Sequence, residues 1–169
     1  MPALRWLVAL IWERPLHVAA WALCMWPLAL GASFALMLSV YGVAYALGIP
    51  LESFERPPQL QPLKLSEWLG TVGLAPLLES MLLAAELELL RKLGVPGRWA
   101  AVVGAISWGL LHGLVAPVWF FGTVCSFYLF SVGYWRYGAV SFEQGLFAAM
   151  FPHALVNATA MTLVWALPA

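Results

Sequence analysis

Five polar side chains inside the long apolar stretches of this sequence are candidates for chemistry: Glu79, Glu86, His112, His153 and Asn157. His153 and Asn157 are four residues apart, so they share one face if the segment is helical. A carboxylate shielded from bulk water can act as a general base on a water molecule, while an imidazole and a carboxamide can donate hydrogen bonds to a developing oxyanion. These residue types together predict hydrolysis of an amide bond by an activated water, without a covalent nucleophile.

Three of these side chains, Glu79, His112 and His153, also have the donor types of a zinc site with two imidazoles, one carboxylate and an open position for water. The sequence contains no His-Glu-x-x-His segment, so the ligand arrangement of helical zinc proteases is absent. Two alternatives therefore stay open at this point, a metal-free site and a site that binds a divalent metal such as zinc. Each side chain taken alone is also compatible with an interhelical hydrogen bond that only stabilises a bundle.

The composition makes these polar residues conspicuous, because polar groups are scarce throughout the chain. Of the 169 residues, 63% are hydrophobic and 9% are charged, and the mean hydropathy is +0.88. A soluble domain is about a quarter charged, so these values exclude a disordered chain, a nucleic-acid-binding protein and an ordinary soluble domain. They predict an integral membrane protein with lipid around most of its surface. Eight basic residues balance eight acidic ones, so the net charge indicates no partner, and Cys24 and Cys125 are expected to stay unpaired.

The apolar runs predict an all-α fold, a polytopic transmembrane bundle of about five spanning helices. The predicted helices cover residues 17–47, 66–91, 98–115, 118–134 and 141–167. Ser141 and Gln144 have the spacing of a capping box at the start of the last helix. The short apolar segment at residues 6–12 is predicted to lie at the membrane interface and not to be a cleaved signal peptide.

A proline-rich polar loop at residues 49–65 divides the chain into two parts. Residues 1–65 comprise the interfacial segment, the first membrane helix and this loop, and residues 66–169 comprise a four-helix membrane core. Five spans place six basic residues on the side of the N-terminus and two on the other: Arg5, Arg14, Arg91, Lys92, Arg98 and Arg136 against Arg56 and Lys64. The positive-inside rule therefore predicts a cytoplasmic N-terminus in the cell membrane.

Four of these polar residues are predicted to lie at similar depths in this bundle. At about 1.5 Å per residue, Glu79, His112 and His153 lie about 18 to 21 Å from the same membrane side, and Asn157 about 24 Å. Glu86 lies on a face similar to that of Glu79 but two turns away, and we interpret it as structural. Glu88, which precedes Arg91 and Lys92 by three and four residues, is interpreted as part of a charge cluster at the helix end. A proton or ion pathway would need polar residues at several depths, so this single layer disfavours it.

Three segments of the sequence resemble the CPBP family, the CAAX-protease and bacteriocin-processing intramembrane proteases that are also called the Abi family. The family's first motif is a Glu pair after a Pro, followed by Arg (E-E-x-x-x-R). Residues 75–80 match the Pro-containing segment before the motif and its first Glu, which is Glu79. The second motif, F-x-x-x-H, resembles residues 108–112, with Trp108 in place of Phe. The third, H-x-x-x-N or D, is matched in full by His153 and Asn157. The resemblance covers about residues 70–166, with the motifs in the same order.

This resemblance implies an intramembrane endopeptidase in which Glu79 and His112 activate water while His153 and Asn157 stabilise the oxyanion. Its implied partners are membrane lipid and a peptide or lipidated protein substrate. The sequence departs from the family at two positions: Ser80 takes the place of the second Glu, and Ala84 aligns with the Arg. The alternative is therefore a catalytically impaired family member that acts as a membrane binding or scaffolding protein.

Overall fold

The computed structural model describes residues 2–13, 16–50 and 64–166, and the regular elements in these ranges are helical. The elements in chain order are α1 (Pro2–Trp12), α2 (Val18–Ala46), α3 (Leu65–Leu69), a π-helical turn (Gly70–Leu74), α4 (Ala75–Lys92), α5 (Gly97–Gly113), α6 (Pro117–Tyr137) and α7 (Phe142–Ala166). The prediction of an all-α helical bundle is confirmed. Arg14, most of the predicted polar loop (residues 51–63) and the predicted helix end at Leu167 lie outside the described residues.

Four helical segments in the described ranges are long and apolar enough to cross a membrane: Val18–Ala46, Leu65–Lys92, Pro117–Tyr137 and Phe142–Leu163. The second of these runs through α3, the π-helical turn and α4 without interruption. The remaining predicted span, residues 98–115, corresponds to α5, which has 17 residues. It is about 25 Å long, slightly less than the hydrocarbon core of about 30 Å. Its length is limited by Pro96 at one end and by the turn before Pro117 at the other.

Proline and glycine residues set several of the helix ends. Gly94 follows α4 with φ 75° and Gly48 follows α2 with φ 66°, values that end a helix without steric cost only at glycine. Pro117 lies in the first turn of α6, where the missing N–H removes no helical hydrogen bond. At the start of α7, the hydroxyl of Ser141 accepts a hydrogen bond from the backbone N–H of Gln144 over 3.2 Å, as the capping-box spacing predicts.

The core of the bundle forms around α6, which packs against α2, α5 and α7. Gly133 permits a close approach to α2 and α7: a Cβ atom there would lie 2.6 Å from the ring of Trp21 and 2.9 Å from the backbone oxygen of Ala148. Small residues at helix contacts are the common device for close packing in membranes. Cys24 and Cys125 are both free, as expected.

The predicted interfacial segment forms α1, and its C-terminal end is held against the bundle. The guanidinium of Arg136 donates to the backbone oxygens of Leu10 and Ile11, and the indole of Trp21 donates to the oxygen of Ile11 over 3.4 Å. These donors satisfy carbonyls that have no partner within the last turn of a helix. The apolar segment is therefore attached to α2 and α6.

Candidate active site

One carboxylate oxygen lies between two imidazole rings from different helices. Oε2 of Glu79 on α4 is 3.6 Å from Nε2 of His112 on α5 and 3.7 Å from Nε2 of His153 on α7. The side chain of His153 is 5% exposed, whereas those of His112 and Glu79 are 22% and 26% exposed. The structure thus brings three of the four predicted residues together, at a place that is buried on one side and accessible on the other.

A hydrogen bond to the backbone determines which ring nitrogen of His112 carries the proton. Its Nδ1 lies 2.9 Å from the backbone oxygen of Trp108, and because a carbonyl only accepts, Nδ1 must carry the proton. A neutral His112 then presents the unprotonated Nε2 to Glu79. An ionised carboxylate and this nitrogen are both acceptors, so they are compatible when a hydrogen atom lies between them. That hydrogen comes from a proton shared by the pair or from a water that donates to both.

Aromatic rings hold His153 in place. Its ring stacks on Phe130 with centroids 4.9 Å apart and an interplanar angle of 20°, and it meets Phe127 edge-on at 5.3 Å. Among the described residues, no hydrogen-bond partner reaches its buried Nδ1. The tautomer with hydrogen on Nε2 is therefore favoured, because that hydrogen points at the Glu79 carboxylate. His153 is the donor of the cluster and His112 is its acceptor.

The separations at Glu79 are suited to a shared water molecule. Distances of 3.6 and 3.7 Å exceed the 2.7–3.2 Å that is typical of a direct N–H···O hydrogen bond. Oε2 of Glu79 is buried and has no direct hydrogen-bond partner among the described residues. Polar atoms at such distances are commonly bridged by water. A water here would donate one hydrogen to Glu79 and the other to Nε2 of His112, and so have two bases beside it.

Asn157 has a backbone partner that the sequence does not suggest. Its Nδ2 donates to the backbone oxygen of Thr71 in the π-helical turn over 2.9 Å. In this turn the N–H of Ala75 bonds to the oxygen of Gly70, five residues earlier, so the next donor in the same pattern would be residue 76. Residue 76 is Pro76, which has no N–H, and the oxygen of Thr71 is left for Asn157. Asn157 therefore links α7 to the segment that leads into Glu79.

The metal alternative concerns the same side chains, Glu79, His112 and His153. Among the residues that the structure describes, no group of three or more His, Cys, Asp or Glu side chains has the arrangement of a metal site.

Glu86 and Glu88 both make interhelical contacts. Glu86 accepts hydrogen bonds from the Ser107 hydroxyl and the Trp108 indole, both on α5. Glu88 pairs with Arg91, as predicted, and it also accepts a hydrogen bond from the hydroxyl of Tyr134 over 3.0 Å. The charge cluster at the end of α4 is thus attached to α6, a contact that sequence reasoning missed.

The two positions at which the sequence departs from the E-E-x-x-x-R motif face the protein interior. Ser80 and Ala84 are each 1% exposed, and the hydroxyl of Ser80 has no hydrogen-bond partner among the described residues. Being four residues apart on α4, they lie on one face and leave room for close helix packing.

Sequence reasoning also missed the residues that orient the two imidazoles. Phe127 and Phe130 lie in an apolar helix with no feature that separates them from core residues. Trp108 was noted only for its spacing from His112, but it provides the carbonyl that fixes the His112 ring. In comparisons with known proteins, no family model, no curated protein and no solved structure matches the chain.

Proposed function

We propose that this membrane protein is an intramembrane endopeptidase of the CPBP type, which hydrolyses a peptide bond with a water activated by Glu79 and His112. The observation that carries the proposal is the position of Glu79 Oε2, 3.6 and 3.7 Å from the Nε2 atoms of His112 and His153. An acceptor nitrogen and a carboxylate on one side, with a donor nitrogen beside them, are the groups that this reaction needs.

In the proposed reaction, the water oxygen attacks the scissile carbonyl carbon while one water proton passes to Glu79 or to Nε2 of His112. The new C–O bond moves the carbonyl electron pair onto oxygen, and the Nε2–H of His153 donates a hydrogen bond to this oxyanion. When the C–N bond breaks, the departing nitrogen takes the proton held by the Glu79–His112 pair. Asn157 contributes by holding the π-helical turn before α4, and its second amide hydrogen is a further donor.

The departures at Ser80 and Ala84 are compatible with this chemistry. Both positions are buried, so a Glu–Arg pair there would have been an interior ion pair. When both members of such a pair are absent, the cost of removing two charges from water is absent as well. The residues proposed to contact the water are Glu79, His112 and His153, and neither Ser80 nor Ala84 is among them.

The substrate is proposed to be a peptide or lipidated protein presented at the membrane. The test uses the full chain in lipid nanodiscs with two probes, a fluorescence-quenched peptide with a farnesylated C-terminal cysteine and the same peptide without the lipid. New N-termini are also mapped by mass spectrometry in membranes of cells that express the protein. We expect cleavage by the wild type and a loss of at least about 100-fold in Glu79→Gln and His112→Ala, since each removes a base beside the water.

Glu143→Gln is the matched control, because Glu143 is an exposed carboxylate at the start of α7 and lies outside the cluster. It should cleave at the wild-type rate. Equal cleavage by wild type and Glu79→Gln would overturn the proposal. If neither probe and no membrane protein is cut by the wild type, the alternative of a non-catalytic binding or scaffolding protein is supported instead.

The proposed location is the cell membrane with the N-terminus in the cytoplasm. Single cysteines are placed near Arg5 and after Lys64 in a variant without Cys24 and Cys125. An impermeant thiol reagent added to intact cells should label the second position and spare the first. Labelling of the first position alone would show that the orientation is opposite to the proposed one.

A further inference from the structure

Glu86, which the proposed reaction does not use, is held by two donors from the neighbouring helix. Its Oε1 accepts a hydrogen bond from the hydroxyl of Ser107 over 2.7 Å, and its Oε2 accepts one from the indole N–H of Trp108 over 3.1 Å. Both carboxylate oxygens are therefore engaged. Hydrogen bonds to a carboxylate are stronger than those between neutral groups, particularly in surroundings that are shielded from water.

The same tryptophan reaches the candidate active site through its other groups. The backbone oxygen of Trp108 accepts the Nδ1–H of His112, and its ring stacks on Phe127 with centroids 5.1 Å apart and an interplanar angle of 8°. Phe127 in turn lies 5.3 Å from the rings of His112 and His153. The side chain that binds Glu86 thus belongs to the residue that orients one imidazole, and it packs on a ring that contacts both.

The two glutamates of α4 contact α5 at two levels. Glu79 and Glu86 are seven residues apart, about 10.5 Å along α4, whereas their partners His112 and Trp108 are four residues apart, about 6 Å along α5. The partners occur in reverse chain order, as antiparallel helices require. Sliding one helix along the other by even part of a turn would break the bonds of Glu86 and separate Glu79 from His112 together.

We propose that Glu86 is a positioning residue whose bonds to Ser107 and Trp108 fix the register of α4 against α5 and so keep Nε2 of His112 opposite Glu79. Selecting one helix register is a well-attested role for polar contacts between helices. The consequence for catalysis rests on the proposed function, whereas the consequence for the His112 ring does not.

Three substitutions separate the effect of helix register from the effect of the Glu86 charge. In Glu86→Gln, the amide oxygen can accept the Trp108 N–H while the amide nitrogen donates to the Ser107 hydroxyl, which can turn its own hydrogen to the oxygen of Gly104, 3.2 Å away. Glu86→Leu keeps the approximate volume and removes both acceptors. Trp108→Phe removes only the N–H donor and keeps a ring that can stack on Phe127.

The first measurement is nitrogen NMR of histidine side chains in nanodiscs, which reports the tautomer and hydrogen bonding of each ring. The chain has three histidines, so His112 is assigned by replacing His17 and His153 in turn. We expect the Nδ1–H signal of His112 to shift or broaden in Glu86→Leu and Trp108→Phe and to keep its wild-type position in Glu86→Gln. Glu88→Leu is the control, because Glu88 contacts α6, and it should leave the His112 signal unchanged.

The second measurement is peptide cleavage with the two probes named above. In Glu86→Leu, kcat should fall about 10- to 100-fold with little change in KM, the effect of displacing a catalytic group by up to about 1 Å. Glu86→Gln should restore most of the rate. A wild-type His112 signal in Glu86→Leu would overturn the proposal, and so would an unchanged kcat. If the wild-type protein cleaves nothing, the protease proposal fails while the NMR result still decides the role of Glu86.

Discussion

The Nδ1–H of His112 donates to the backbone oxygen of Trp108 over 2.9 Å, so the opposite ring nitrogen of His112 is the one that faces Glu79. The bond has two effects, since it fixes both the rotation of the ring and the nitrogen that carries hydrogen. In the proposed reaction, this bond leaves Nε2 of His112 ready to accept a proton from water without reorganisation.

The two ring nitrogens of His112 have different partners, so one substitution can keep the bond to Trp108 and remove the nitrogen that faces Glu79. In His112→Asn, the side-chain amide nitrogen takes the place of Nδ1 and can still donate to the Trp108 oxygen, but nothing replaces Nε2. We therefore expect a thermal unfolding temperature close to that of the wild type together with a loss of cleavage of about 10²- to 10⁴-fold. Unfolding is followed by intrinsic fluorescence in detergent and cleavage with the quenched peptides. Retained cleavage would show that His112 is not the base.

Asn157 and Pro76 should be energetically coupled through the oxygen of Thr71. Asn157→Ala removes the donor to this oxygen and should cost about 0.6–2 kcal/mol of stability, with faster amide exchange in residues 70–76. Pro76→Ala supplies an N–H that can bond to Thr71 in the π-helical pattern. In that background the Asn157→Ala cost should shrink, which a double-mutant cycle measures. Additive effects would mean that the oxygen of Thr71 does not depend on the missing N–H of Pro76.

Two of the buried serines, Ser80 and Ser126, should respond differently to replacement by alanine. Ser80 is 1% exposed and its hydroxyl has no partner among the described residues, so Ser80→Ala should raise the free energy of unfolding or leave it unchanged. Ser126 is 4% exposed, and its hydroxyl bonds to that of Ser33 on α2 over 2.9 Å. Ser126→Ala should lower the free energy of unfolding by about 0.6–1.5 kcal/mol, because the Ser33 hydroxyl loses its partner. Reversible unfolding in mixed micelles gives both free energies. Equal losses of stability in the two variants would contradict the view that the Ser126 hydroxyl has a partner and the Ser80 hydroxyl has none.

The length and depth of the helices could be predicted from the sequence because they follow from the chain itself. The predicted helix at residues 66–91 agrees with Leu65–Lys92, since apolar residues and Gly94 determine where it can run and where it ends. Because neighbouring helices begin and end at shared membrane sides, counting residues also put Glu79, His112 and His153 in one layer, and the structure places these side chains together.

The contacts between neighbouring helices could not be predicted in the same way. A helix surrounded by lipid is apolar on all sides, so hydrophobic periodicity does not tell which face meets which neighbour. The sequence predicts Asn157 as an oxyanion donor, and it gives no sign of the bond from the Asn157 amide to Thr71, which forms because a π-helical turn followed by Pro76 leaves that oxygen free. Gly-Thr-Val-Gly-Leu contains no signal for a π-helical turn. The contacts of Glu86 with Ser107 and Trp108 likewise depend on the register of two helices, which only the packed structure defines.

Gly133 is expected to be the least replaceable glycine of α6, since three helices meet there. An added methyl group would lie 2.6 Å from the ring of Trp21 and 2.9 Å from the backbone oxygen of Ala148. Trp21 is fully buried and the Ala148 oxygen belongs to α7, so neither can move without shifting a helix. Gly133→Ala should therefore lower the free energy of unfolding by about 1–3 kcal/mol. Gly31→Ala is the control: it also lies within a membrane helix, nothing lies within 4 Å of its added methyl, and the higher helix propensity of alanine should stabilise α2 by up to about 1 kcal/mol. A loss at Gly31 equal to that at Gly133 would show that the cost comes from the helix itself and not from the contact of α6 with Trp21 and Ala148.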